Sequence, residues 1–128
     1  MYSRITPHYF SLAILSAFTL LLSGQVMAKD WLVDTPKAYK KVLKQVKAGD
    51  KVILANGTWQ DFEIVFKGKG TKTQPIMLTA QTKGKVILSG QSNLRLAGEH
   101  LIVSGLVFKN GYTPSNEVIA FRVNKKEL

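Results

Sequence analysis

The sequence predicts an all-β fold: a parallel β-helix of about three N-terminal coils with an N-terminal capping α-helix. Two observations carry the prediction. Short apolar runs bounded by turn residues recur from Lys51 to Val123 at intervals of about 20–25 residues, the period of a solenoid coil. Ahead of them, residues 36–49 switch to a three- and four-residue apolar spacing, which is helical. The chain has no cysteine, so burial and backbone pairing, not disulfides, must hold it together.

The first 28 residues stand apart. Arg4 gives a short basic start, residues 10–22 are almost wholly apolar, and residues 23–28 end in a small-residue pattern at Ala28. That layout is a secretory signal peptide cleaved after Ala28. The apolar run is shorter than the about 20 residues a spanning helix needs, and no cysteine follows it for a lipid anchor. The domain organisation is thus residues 1–28 as signal peptide and 29–128 as the N-terminal part of a β-helix domain. The expected location is secreted or periplasmic, with no membrane attachment after cleavage.

The whole chain has 18 Lys/Arg against 8 Asp/Glu and a net charge of +10. Such a balance favours polyanionic partners, although lysines also simply keep turns soluble. An exported basic protein meets acidic polysaccharide sooner than nucleic acid. Interleaved exposed aromatics, the mark of a nucleic-acid binder, are not evident.

For the helix, Asp34 or Thr35 can cap, Pro36 suits the first turn and Gly49 suits the C′ position. Ala38, Tyr39, Val42, Leu43 and Val46 form one apolar stripe among lysines. Its expected partner is the open end of the first coil; the rival is a membrane surface.

The strand candidates begin at Val52, Ile64, Ile76, Val86, Leu94, Leu101, Leu106 and Val118. Asn56-Gly57, Lys67-Gly68-Lys69-Gly70, Lys83-Gly84, Ser89-Gly90 and Asn110-Gly111 read as the turns between them. Three columns are expected: Val52, Ile76 and Leu101; Ile64, Val86 and Val107; Leu94 and Ile119. An antiparallel sandwich built on Asn-Gly hairpins is the alternative. With no closing cap evident before Leu128, the solenoid is expected to continue in a longer protein.

Candidate chemistry is sparse. His100 is the one histidine after residue 28 and reads as a turn residue. Asp61 and Glu63 alternate with apolar neighbours and suit either a cation site or a solvated strand face. Asn56-Gly57-Thr58 matches a glycosylation sequon but reads as a tight turn. The terminal Lys125-Lys126-Glu127-Leu128 only loosely resembles a retention signal. Arg95 and Arg122 sit between apolar residues, so alternation points both guanidiniums outward. They are 27 residues apart, close to one coil. With Lys109 they are the candidate substrate-binding residues, because Arg forks match carboxylates bidentately.

Three strings occur in order: residues 49–59 (GDKVILANGTW), Gln74-Pro75-Ile76, and residues 101–111 (LIVSGLVFKNG). Together they resemble the start of the polysaccharide lyase family of poly(β-D-mannuronate) (alginate) lyases and chondroitinase B. Leu88-Ser89-Gly90-Gln91-Ser92 and the run from Tyr112 to Arg122 resemble it too. The resemblance implies a right-handed parallel β-helix with an N-terminal capping helix. It implies β-elimination on an acidic polysaccharide, in which the C5 proton of a uronate is removed and the 4-O-linked sugar expelled. It also implies Ca2+ in the full-length family, a lysine base and an arginine acid. The motifs for these lie beyond Leu128, so no catalytic or metal residue is carried over. The chain alone is expected to bind no Ca2+ and to be inactive. The alternative is a non-catalytic β-helical module that binds acidic polysaccharide; a nucleic-acid binder ranks last.

Overall fold

The computed structural model describes residues 27–123. The predicted leader up to Val26 and the terminal Lys125 to Leu128 lie outside the described residues. Strand β1 (Asp30–Val33) leads into helix α1 (Pro36–Leu43), and three circuits of three strands follow. The first is β2 (Lys51–Leu54), β3 (Gly57–Gln60) and β4 (Glu63–Lys69). The second is β5 (Ile76–Ala80), β6 (Val86–Gly90) and β7 (Asn93–Glu99), and the third β8 (Leu101–Ser104), β9 (Leu106–Gly111) and β10 (Ile119–Phe121).

Each circuit contributes one strand to each of three sheets: β1-β2-β5-β8, β3-β6-β9 and β4-β7-β10. All seven strand pairings are parallel, which excludes the antiparallel sandwich.

Alternation explains the interior. Val52 and Leu54 are fully buried while Ile53 between them is only half-buried. Ile64 and Phe66 repeat the pattern, as do Leu94 and Leu96. One contiguous cluster runs from Val33 to Leu96 across all three sheets. Fully burying each such side chain contributes roughly 1.5–3 kcal/mol.

Helix α1 begins at Thr35, whose hydroxyl accepts a hydrogen bond from the Ala38 N–H at 3.2 Å, with Pro36 in the first turn. Thr35 therefore caps, and Asp34 does not. The helix ends at Leu43 with Lys44 as its C-cap. Gly49, with φ +90°, lies beyond that end and serves the turn into β2. Val46 follows the helix and still packs against the core. The helix is pinned by Tyr39, whose hydroxyl donates to the Val65 carbonyl on the edge of β4 at 2.9 Å. The Tyr39 ring meets Phe62 edge-on at 5.4 Å, and Phe62 stacks on Trp59 at 5.2 Å. Burial pushes the Tyr39 hydroxyl well above its ordinary pKa. The helix thus uses its apolar face on the protein's own core.

Several expected features change. Strands β1 and β3 were not foreseen: each is four residues long and buries one large apolar side chain, Val33 or Trp59. Ile64 does not share a column with Val86 and Val107; it pairs with Leu94, while Val86 pairs with Gly57 and Leu106. Val52 pairs with Leu78, two residues beyond the expected Ile76. The Leu94–Ile119 and Ile76–Leu101 pairings are as expected. Gly68 and Lys69 belong to β4, and the turn follows them. Gly98, with φ +135°, stacks on Gly68; a Cβ there would strike the Gly68 carbonyl.

Candidate functional site

Two exposed regions hold the candidate residues. The first is the outer face of the β4-β7-β10 sheet. Alternation turns Arg95 away from Leu94 and Leu96, which are buried. Its Nη2 donates to Glu63 Oε1 at 3.1 Å across the sheet, and the same oxygen accepts from Asn93 Nδ2 at 3.4 Å. Arg122 follows β10, and its Nη2 donates to Glu117 Oε2 at 2.8 Å. Both arginine side chains are 27 % exposed, and the Nε of each is buried without a partner. Each guanidinium therefore lies along the surface with one nitrogen engaged by an acid. Such exposed pairs are each worth about 0–1 kcal/mol, so an incoming carboxylate can compete for them.

Arg95 and Arg122 are not direct cross-strand partners: Arg95 sits opposite Ala120. Lys109 belongs to β9, in the neighbouring sheet. It lines a cavity of about 230 Å³ with Asn110, Tyr112 and Thr113. The structure thus puts Arg95 on one sheet, Arg122 just past the edge strand of that sheet, and Lys109 on the next sheet.

The sequence reading did not single out Tyr112. It is 66 % exposed, and its hydroxyl accepts from Gln91 Nε2 at 2.8 Å. Its ring stands at the bend beyond β9, where Tyr112 N–H donates to the Gly90 carbonyl. The only available signal was an aromatic residue directly after an Asn-Gly pair.

The remaining sequence candidates have structural duties. Asp61, at φ +52°, accepts the Gln91 N–H at 2.8 Å and braces the bend between the β3 and β4 sheets. Glu63 is committed to Arg95 and Asn93. The two do not converge, and among the described residues no three His, Cys, Asp or Glu side chains gather as metal ligands. His100 is a turn residue at φ +50°, and its carbonyl accepts from the Ile76 N–H. Asn56 stitches adjacent coils: its amide donates to Thr82 Oγ1 and accepts from the Thr82 N–H, both at 3.0 Å.

A second basic surface lies on and beside α1. Lys37, Lys40, Lys41, Lys44 and Lys47 take part in none of the ion pairs among the described residues. Helical neighbours three and four apart stand close together on one face, so Lys37, Lys40, Lys41 and the C-cap Lys44 form a strip, and Lys47 lies beyond the helix end.

The chondroitinase B family model matches residues 33–128. This chain belongs to the chondroitinase B and alginate lyase family of polysaccharide lyases, PL6. The solved PL6 alginate lyase AlyGC is 68 % identical with a TM-score of 0.73; the match covers 76 % of this chain and 13 % of that one. The PL6 polysaccharide lyase Pedsa3628 from Pseudopedobacter saltans is 37 % identical with a TM-score of 0.68, covering 71 % of this chain and 21 % of that one. A mannuronic-acid-specific family 6 lyase from human gut microbiota is 30 % identical with a TM-score of 0.65, covering 76 % and 23 %. The chain therefore spans between an eighth and a quarter of these PL6 enzymes. No curated protein matches it.

Proposed function

We propose that this PL6 chain forms the opening coils of an exported lyase that cleaves alginate or a related polyuronate by β-elimination. In this reading the solenoid is right-handed, α1 is its N-terminal cap, and later coils supply the catalytic groups. The observation that carries it is the 68 % identity to an alginate lyase together with the 13 % share of that enzyme's length.

The family's calcium ion does not fit the described residues. Asp61 and Glu63 are engaged elsewhere, and no acidic cluster forms among the described residues. No step of the elimination is assigned to this chain. What its residues offer is attraction: Arg95, Arg122, Lys109 and the α1 lysines give a basic exterior suited to a polymer with a carboxylate on every sugar.

A second reading is a non-catalytic module that binds acidic polysaccharide, favoured by the α1 lysines, which form no ion pair among the described residues. Incubation with poly-mannuronate, with AlyGC as the positive control, tests both. The chain is expected to yield no unsaturated uronate by ultraviolet absorbance. Heat-sensitive growth of that absorbance would contradict the absence of catalytic groups, and retention on alginate without cleavage by a longer natural form would favour the binding module.

A further inference from the structure

Asp50 is the one charged side chain buried among the described residues, at 4 % exposure. Its Oδ1 accepts the Lys29 backbone N–H at 2.9 Å. Its Oδ2 accepts the Trp31 indole N–H at 3.2 Å and the Lys47 backbone N–H at 3.0 Å. Yet Asp50 makes no ion pair among the described residues. The Lys29 ammonium rests over the Trp31 ring instead, 3.6 Å from its centroid. Burial on its own raises the Asp50 pKa. The N–H donors of Lys47, Trp31 and Lys29, with the Lys29 charge, outweigh it and hold the carboxyl below its usual value.

The direct donors to Asp50 are all neutral N–H groups, and a buried carboxylate gains further from a counter-charge in direct contact. The nitrogen bound to Oδ1 belongs to the first residue after the cleavage point read from the sequence. Hydrolysis of the Ala28–Lys29 amide would put the hydroxyl of water on the Ala28 carbonyl carbon. The Lys29 nitrogen would take the proton and, at neutral pH, become an ammonium where the N–H now stands.

We propose that Ala28–Lys29 is a processing site and that the freed Lys29 α-ammonium is the counter-ion of Asp50, locking the start of β1 onto the turn before β2. This rests on the export reading above. Lys29 is already fixed at its other end, since its carbonyl accepts the Lys51 N–H at 2.8 Å. Met27 is 84 % exposed and Ala28 is also exposed, so both can be removed without loss of core. A cavity of about 470 Å³ beside Lys29, Trp31, Lys47 and Asp50 leaves room to solvate the remaining ammonium protons. The same contact changes from a neutral donor to a charge-assisted one, which is stronger. The other charges nearby are the Lys29 and Lys47 side chains and the exposed Lys51–Asp30 pair.

The test exports the whole chain and reads the mass of the product. Its melting is then compared with a form that keeps Ala28 ahead of Lys29, each with Asp50 and with Asp50→Asn. The exported product is expected to begin at Lys29. Keeping Ala28 should lower the melting temperature by about 4–8 °C with Asp50 and leave it nearly unchanged with Asp50→Asn. Equal losses in both backgrounds would overturn the ion pair while leaving the export reading intact. A different start would overturn the processing site while leaving the export reading intact, and no cleavage would overturn both.

If Asp50→Asn does not fold, titration of the Lys29 α-amine by NMR in the Asp50 protein decides. Its value should lie well above the roughly 7.7–8.0 of a free α-amine. The stabilisation is then present below that free value and fades as pH rises through the folded one. An α-amine titrating at the ordinary value overturns the pairing.

Discussion

The two ends of the solenoid repeat one pattern and reach opposite outcomes. Ile64, Leu94 and Ile119 occupy one inward column, yet they are 0 %, 2 % and 51 % exposed. Phe66, Leu96 and Phe121 form the next and run 0 %, 7 % and 79 %. The difference does not lie in the residues, which are apolar throughout. The first circuit is covered by α1 and β1 on one side and by the second circuit on the other. The third has a described neighbour on one side only. In a solenoid, burial is set by the neighbouring coil and not by the side chain. The α1 lysines and the Asp50 contacts thus sit on a covered end, while Phe121 and Ile119 sit on a side that no described coil covers.

Substitutions along the column should separate the two ends. Phe66→Ala is expected to destabilise most, by about 3–5 kcal/mol, because it opens a cavity with no room to collapse. Tyr39→Phe should cost about 1 kcal/mol, as it removes only the hydrogen bond to the Val65 carbonyl. Phe121→Ala should change stability by about 0.5 kcal/mol or less, as an exposed position does. Urea unfolding of the three variants measures all of this. Similar losses for Phe66→Ala and Phe121→Ala would mean that the two ends are equally packed.

The period and the helix were legible because they rest on strong local chemistry: Thr35-Pro36 at a helix start, and inward residues alternating with outward ones in the central strands. Column membership was harder. Circuits differ in length, since β2 and β5 are offset by 26 residues and β6 and β9 by 20. A constant spacing therefore misassigned Ile64. Strand β3 escaped notice because its first residues, Gly57 and Thr58, read with Asn56 as a tight turn, whereas they pair in register with β6.

Around the candidate site, the outward direction of Arg95 followed from alternation, as did the inward direction of the two leucines beside it. Its partner did not. Glu63 is 32 residues away in sequence and meets Arg95 only because β4 and β7 stack in register. The role of Asp50 was hidden for the same reason: two of its three donors come from β1 and the residue before it, about 20 positions upstream.

The most direct test of the proposed place in a lyase is a chimera in which residues 29–123 replace the matching opening segment of AlyGC. The account predicts a folded hybrid with Ile119 and Phe121 newly buried, releasing unsaturated uronate from alginate at a rate near that of the parent. A hybrid that folds but leaves those two side chains exposed, or whose graft unfolds separately from the remaining coils, would contradict it.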